Sequence, residues 1–392
     1  MQARGVLILL ATRYPSYAGA SRRVEGLRYV LWRNGIDVTT LSYIPQEGAM
    51  RQDQTHAVSC LRGVLPRSTT LFTRGFRILA FWLLAFPKAL KLALSAGLIL
   101  QFQTLLSAPP ALLAGIILRR PVIADDFILS HLVSKRFRCV LKWLDLMVIK
   151  LSSLIVTASL ETVTFTKSAS HGRLQPVYMP NGITIHKSAE KMRMSMERGR
   201  SQQMIFVGSL SFSQNLAAVK NLIEVADALM ATGESRFQFT VVGGPISAAS
   251  QFMNSRAVEK RLVKFAGQVS DSQLEGIYAG SIAGLLPFFS DTPLRGGTRT
   301  KALEYFAHSL LVISGKEGVK GIHGLQDRVH YVEVSSVDKM AELIRQVILD
   351  RDRYQEVAVR GKRFVCERYT WDALSTQYVD CVRRLLRNQI ET

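Results

Sequence analysis

Two doubly wound α/β units in one chain are the architecture that this sequence predicts. Three observations predict it. Short apolar runs alternate with stretches whose apolar residues recur at three and four positions, the pattern of strands alternating with covering helices. The alternation stops at a polar, charged stretch from Lys187 to Gln203 and then begins again. The chain also has 392 residues, more than one core of about 150–200 residues needs.

The elements follow in order. Val6–Leu10 reads as a buried first strand. It is too short for a signal-peptide core, and no small-residue cleavage site follows it. A polar loop, Thr12 to Ala20, leads into a helix from Ser21 to Asn34, with Val24, Leu27, Val30 and Leu31 on one face. Gly35 caps it, and Val38–Leu41 is a second strand. Leu98–Phe102 and Pro121–Ala124 are further strands, with a helix from Pro109 to Leu118 between them. Leu154–Thr157 is another, and Val177 to Ile183 closes this half. Beyond the polar stretch, strands are expected at Met204–Val207, Phe237–Val242, Leu262–Ala266, Ala283–Pro287 and Leu310–Ser314. Helices are expected over Asn215–Met230, Asp271–Ala279, Thr300–His308 and Ser336–Arg351, and across most of Tyr354–Asn388. There is no internal repeat.

Composition narrows the function. Hydrophobic residues are 48% of the chain, which excludes intrinsic disorder. Cys60, Cys139, Cys366 and Cys381 lack the close spacing of a disulfide scaffold or a zinc site, which favours a reducing compartment. The net charge is +20. It is uneven: residues 1–180 hold 22 Lys and Arg against 8 Asp and Glu, and the rest hold 28 against 22. Such a balance points to an anionic partner: nucleic acid, a membrane surface or a small substrate. The most apolar region, Phe76 to Phe102, is interrupted by Arg77, Pro87, Lys88 and Lys91, so no transmembrane helix is expected. Between Arg74 and Lys91, basic residues flank Phe76, Phe81, Trp82 and Phe86. That pairing seats a protein on an anionic membrane; a core helix with snorkelling lysine stems is the plainer alternative.

In a doubly wound sheet the ligand sits at the carboxyl ends of strands, and between two such domains the cleft is the expected site. The loops there carry motifs in order: IFVGSLSFSQNLAAV (205–219), FTVVGG (239–244) and KFAGQVSDSQLEGIYAGSIAGLLPF (264–288). RGGTRTKALEYFAHSLLVISGKEGVKGI (295–322) and ERYTWDAL (367–374) follow, and MPNGI stands at 179–183. Together these resemble the nucleotide-binding half and interdomain crossover of glycosyltransferase family 4, whose members have the GT-B fold. Gly19-Ala20 with Arg23, Leu27, Leu31 and Gly35 is similar to that family's first loop and helix. The resemblance is strong over 204–322 and weak over 40–120. It implies two Rossmann-like doubly wound domains facing a cleft: residues 1–183 for the acceptor and 184–366 for the nucleotide-sugar. Residues 367–392 are then a C-terminal helix crossing back to the first domain.

The residues suit a nucleotide-sugar donor. Gly296, Gly297 and Thr298 open the helix that carries Glu304, and a glycine-rich helix N-terminus lets the backbone approach a diphosphate. Arg299 and Lys301 add cations there, and Arg295 can join them. A glycine-rich turn with solvated charges is the plainer reading. By resemblance Glu304 matches the second glutamate of the family's Glu-seven-residues-Glu motif, which binds the ribose hydroxyls. The first would fall at Gly296 and is missing, which leaves sugar identity open. At 208–215 many relatives have an Arg and a Lys; here Ser209 and Gln214 stand in that neighbourhood, and the next basic residue is Lys220. The cation requirement is then expected to move to Arg299 and Lys301. Gly208 stays at the strand end, and Asn215 is either a helix N-cap or a site residue. Gly267 and Val269 fall where the family holds the base by main-chain groups.

In the first half, Gly19 and Ala20 are acceptor or cleft candidates, with Arg13, Arg22 and Arg23 nearby. Asp125 and Asp126 follow a strand, and His131 lies a few residues on; Asp126 and His131 are candidates to orient an acceptor hydroxyl. Turn and capping chemistry is the alternative for the two aspartates. Asp350 and Asp352 have an Asp-x-Asp spacing but read as a helix boundary, so no metal is expected, and no cofactor beyond the nucleotide-sugar substrate. The resemblance implies retaining, metal-independent transfer of a hexosyl group to an acceptor hydroxyl. With the basic first half, it points to cell-surface polysaccharide or lipid-linked glycan synthesis, in the cytoplasm at the inner face of the membrane. A degenerate member that binds without transfer is the alternative. Nucleic acid is not expected as a partner, because no recognised binding motif accompanies the charge.

Overall fold

A computed structural model describes residues 5–13, 19–43, 58–61, 71–102, 104–133, 138–185, 202–289 and 298–389. The chain divides into two compact units, Met1–Asn181 with Trp371–Thr392, and Gly182–Thr370. Each is a parallel sheet covered by helices, the doubly wound architecture expected.

The first unit begins with β1 (Gly5–Arg13), α1 (Gly19–Arg33), β2 (Val38–Tyr43) and β3 (Val58–Leu61). α2 (Leu71–Ala93), β4 (Ala96–Phe102), α3 (Thr104–Leu118) and β5 (Val122–Asp125) follow. α4 (Ser130–Val133), α5 (Arg138–Leu151), β6 (Leu154–Thr157), α6 (Leu160–Ala169) and β7 (Val177–Tyr178) complete the continuous part. The sheet order is β3-β2-β1-β4-β5-β6-β7, so the winding reverses between β1 and β4. β1 shows why its run is apolar without alternation. Val6, Ile8 and Leu10 enter one core with α1, while Leu7 and Leu9 enter another with α2, α3 and α5. A parallel strand covered on both faces needs both sets.

The second unit holds β8 (Gln203–Val207), α7 (Ser213–Ala231), β9 (Gln238–Val242), α8 (Arg256–Glu259) and β10 (Val263–Gly267). α9 (Asp271–Gly280), β11 (Ser281–Leu286), α10 (Thr300–Ala307), β12 (Leu311–Ser314) and β13 (Val332–Glu333) come next. α11 (Val337–Leu349) and α12 (Arg351–Arg368) end it. The order is β10-β9-β8-β11-β12-β13, with the reversal between β8 and β11.

α13 (Trp371–Asn388) returns to the first unit. Its Trp371, Tyr378, Val379 and Val382 join the core formed by Val24, Leu27 and Leu31 of α1. Gly26 makes the approach possible, because a Cβ there would overlap the Trp371 indole.

The structure differs from the expectations at several points. β3, α5 and α6 carry no clear periodic signal; β3 is four residues, and α5 exposes apolar residues on its outer side as well. α3 starts at Thr104, ahead of Pro109 and Pro110, which lie inside it. Asp125 belongs to β5 rather than to the loop after it. The polar stretch from Lys187 lies mostly outside the described residues. Asp350 caps α12, its side chain accepting from the Arg353 backbone N–H at 3.4 Å, as the helix-boundary reading of Asp350 and Asp352 expects.

Candidate functional site

The switch point of the second unit lies at the carboxyl ends of β8 and β11, where doubly wound sheets take their ligands. Chain crossings there are tight. The Gly208 N–H donates to Val242 O at 2.9 Å, and the Leu210 N–H to Gly244 O at 2.8 Å. Gly243 has φ 141°, and a Cβ on it would strike Gly208 O, so only glycine serves at that position. Tyr305, buried on α10, accepts the Val207 N–H at 2.8 Å through its hydroxyl. Burial raises its pKa, so the phenol stays protonated.

Lys301 reaches into this corner from the first turn of α10. Its Nζ donates to Asn215 Oδ1 at 3.0 Å and lies over the Phe206 and Phe288 rings, 4.7 Å and 5.1 Å from their centroids. A Cβ on Gly208 would come within 2.9 Å of that Nζ. Among the described residues no carboxylate lies within ion-pair distance of it. Burial, with Arg299 adding repulsion against the opposing pull of Glu304, pushes the Lys301 pKa down to about 7. The ammonium therefore stands beside the 208–215 loop, which has no cation of its own.

Asn215 is not the N-cap. Phe212 holds that position, and Asn215 sits in the first turn of α7. Its Nδ2 donates to Ser209 O at 2.8 Å and so orients Oδ1 toward Lys301. The helix starts three residues earlier than the polar-to-apolar change at Asn215-Leu216 suggests.

Arg299 is the N-cap residue of α10, with Nε donating to Glu317 O at 3.3 Å. Burial lowers its pKa, with Glu317 opposing. Thr298, immediately before it, is buried. Glu304, one turn further on, accepts the Tyr278 hydroxyl at 3.0 Å through Oε2. Tyr278 in turn stacks on His308 at 4.3 Å, which holds the phenol in place. Tyr278 has no signal in the sequence: it is 26 residues from Glu304 in an otherwise ordinary amphipathic helix. Gly267 ends β10 at φ 70°, and its carbonyl accepts the Gly243 N–H at 2.7 Å. Val269 is half-buried just before Ser270, which caps α9 in a reciprocal box with Gln273. Gly296 and Gly297, with Arg295, lie outside the described residues.

The first unit gathers a different set. Arg23 is buried and grips Asp125 with two hydrogen bonds, Nε to Oδ2 at 2.7 Å and Nη2 to Oδ1 at 2.8 Å. Nη1 donates to Met179 O at 3.2 Å and to Asn181 Oδ1 at 3.0 Å. Burial alone would lower its pKa, but the Asp125 charge and hydrogen bonds prevail and raise it. Arg23, close in sequence to Gly19 and Ala20, thus has its hydrogen-bonding groups committed to partners within the first unit. Asp126 adopts φ 49°, and burial, against the pull of Arg23, pushes its carboxyl up to about 6. His131 is buried, its ring Nδ1 2.7 Å from Asp145 Oδ2, which also accepts the His131 N–H at 3.1 Å. Asp145 comes from α5 and was not legible from the sequence. Gly19 and Ala20 are the first two residues of α1.

Two doubly wound sheets of this order define the GT-B class of glycosyltransferase folds, and residues 201–350 match the family described as Glycosyl transferases group 1. The similarity to that family thus lies in the second unit. Among solved structures, the HepE protein of Anabaena in complex with UDP and glucose aligns with a TM-score of 0.69 at 16% identity, over 97% of this chain and 99% of that one. Sucrose-phosphate synthase from Thermosynechococcus elongatus aligns at 0.74 and 13% identity, over 98% and 100%. The UDP-forming α,α-trehalose-phosphate synthase from Burkholderia vietnamiensis aligns at 0.66 and 12%, over 98% and 100%. At these identities the likeness is one of fold. No curated protein matches the chain significantly.

Proposed function

We propose that this glycosyltransferase moves a hexosyl group from a nucleotide-sugar to an acceptor hydroxyl, with retention and without a metal ion, as a member of family 4. One observation carries the reading: the Lys301 ammonium, buried without a carboxylate partner among the described residues, stands at the switch point beside Gly208 and Asn215. A diphosphate supplies the missing negative charge. Arg299 and the N-terminus of α10 face the same group and take up the charge that grows on the leaving phosphate. These cations fill the role that a divalent ion has in metal-dependent transferases. Glu304, steadied by Tyr278, accepts the ribose hydroxyls, and main-chain groups at Gly267 and Val269 receive the base.

In the transfer, the acceptor oxygen bonds to the anomeric carbon on the face that the phosphate leaves. The carbon–phosphate oxygen bond breaks, and the acceptor proton passes to the departing phosphate oxygen. No protein base is required. The first unit supplies the acceptor contacts, with Asp126 and His131 as candidates. Its basic excess suits a glycan or lipid-linked acceptor at the inner face of a membrane.

Glu304→Ala is expected to lower transfer by about a hundredfold or more while the fold is kept, the order of losing a charged hydrogen-bonding group at a site. Unchanged donor turnover would remove Glu304 from its role. UDP-glucose, which HepE binds, is the first donor to screen by thermal shift. A second reading, binding without transfer, is favoured by Gly296 standing where the family's first glutamate would be. Donor binding with no turnover on any acceptor would select it.

A further inference from the structure

We propose that the outer face of α2, α3 and α5 is a docking surface for an anionic lipid bilayer. The proposal sharpens the membrane part of the reading above and stands apart from its donor part. The three helices lie side by side and turn their inner ridges into one core. In α2 that inner ridge is Phe81, Ala85, Ala89 and Ala93, mostly small residues that bring the helix close to the sheet. The large side chains point the other way. Leu83 is 68% exposed and Trp143 59%, and Leu79, Leu113, Ile116 and Val140 are each at least half exposed. A surface helix normally puts its leucines inside and its small or polar residues outside; here the arrangement is inverted on α2 and α3, and α5 beside them exposes Val140 and Trp143 while burying Val148 and Ile149. Contiguous exposed apolar area of this kind marks an interaction site.

The charges identify the partner. Lys88, Lys91, Lys142 and Lys150 are exposed on α2 and α5, and Arg119 follows α3. Neither α2 nor α3 contains an acidic residue, and the one in α5, Asp145, is buried against His131. Aliphatic ridges, an exposed tryptophan and lysines that can snorkel are what a helix lying in a headgroup layer presents. A protein partner fits less well, because protein interface cores are depleted in lysine. A second copy docked on the same face would set these cations against themselves. Among the described residues no helix is long and apolar enough to cross a bilayer, so the contact is a surface one.

Co-sedimentation with phosphatidylcholine vesicles, with and without phosphatidylglycerol, tests this at low and high salt. Binding is expected to the anionic vesicles at low salt and to weaken with salt. The double variant Leu83→Asp/Trp143→Asp is expected to lose at least about tenfold in partitioning, as removal of buried apolar area predicts. Its donor hydrolysis in solution should match that of the unaltered chain, which separates failure of docking from failure of the donor site. Should the variant misfold, brominated-lipid quenching decides: the unaltered chain should be quenched more than Trp143→Phe. The proposal is overturned by absent vesicle binding, by a double variant that binds normally, or by equal quenching. It is equally overturned by a stable dimer in solution that the double variant splits.

Discussion

Both units bury a cation at the heart of a polar cluster, and the two cations are treated in opposite ways. Arg23 is matched by Asp125 in a bidentate pair and by carbonyl oxygens beyond it, and its charge is held more firmly than in water. Lys301 meets an amide oxygen and two aromatic rings, and its charge is held less firmly. Burial penalises both; only the supply of opposite charge differs. A satisfied buried cation is structural. The second, at a strand-end switch point, is where the proposed diphosphate would find an uncompensated charge.

Substitution should break the two clusters in different currencies. The largest effect is expected at Arg23→Met, which strands the Asp125 carboxylate in the core. Chemical denaturation should show a loss of about 3–5 kcal/mol, the range for a broken buried pair. A loss under about 1 kcal/mol would mean that the pair is not structural.

Lys301→Met should change stability little, since it removes a buried charge and strands no ionised partner among the described residues, only the Asn215 amide oxygen. Donor affinity should fall by about ten- to a hundredfold, the worth of one charge-assisted contact. The same residue sets a pH dependence. With a folded value of about 7 against an ordinary 10.5, Lys301 is a cation below pH 7 and loses its proton as the pH rises through 7. Donor affinity, measured by calorimetry, should therefore be highest below pH 7 and fall above it, toward about tenfold per unit. Lys301→Arg, which stays charged, should flatten that profile. A flat profile in the unaltered chain would show that Lys301 is not the group that meets the diphosphate.

The smallest effect is expected at Asp126→Asn, a substitution that tolerates the left-handed backbone. The folded carboxyl titrates near 6, above its ordinary 3.8, so ionisation costs stability as the pH rises from 3.8 through 6. The variant escapes that cost. Its melting temperature should exceed the parent's by several degrees at pH 7.5, since a shift of about two pKa units is worth at most about 3 kcal/mol. The gain should vanish below the ordinary carboxyl value. A gain that persists in acid would assign the effect to backbone conformation.

The periodic elements were legible, because each strand or helix writes its burial into consecutive residues. Val6–Leu10 and Ala283–Pro287 announce strands in this way. The loop order around Gly208, Gly243 and Gly267 was legible too, since tight crossings demand glycine and leave a local trace. Contacts across the chain left none. Lys301 meets Asn215 from 86 residues away, and Arg23 meets Asp125 from 102. Nothing near Arg23 distinguishes a core arginine from a phosphate ligand. The inverted helix α2 was visible as an apolar region but not by face, because its exposed and buried sides are both hydrophobic and period alone cannot rank them.

The return of α13 to the first unit has a consequence for synthesis. Residues 1–181 emerge first, yet one side of their core is closed by Trp371, Tyr378 and Val379. Until those residues are made, Val24, Leu27 and Leu31 lack their cover, while the second unit is continuous and already complete. The core of the first unit therefore draws on residues from both ends of the chain, while that of the second unit draws on one continuous stretch.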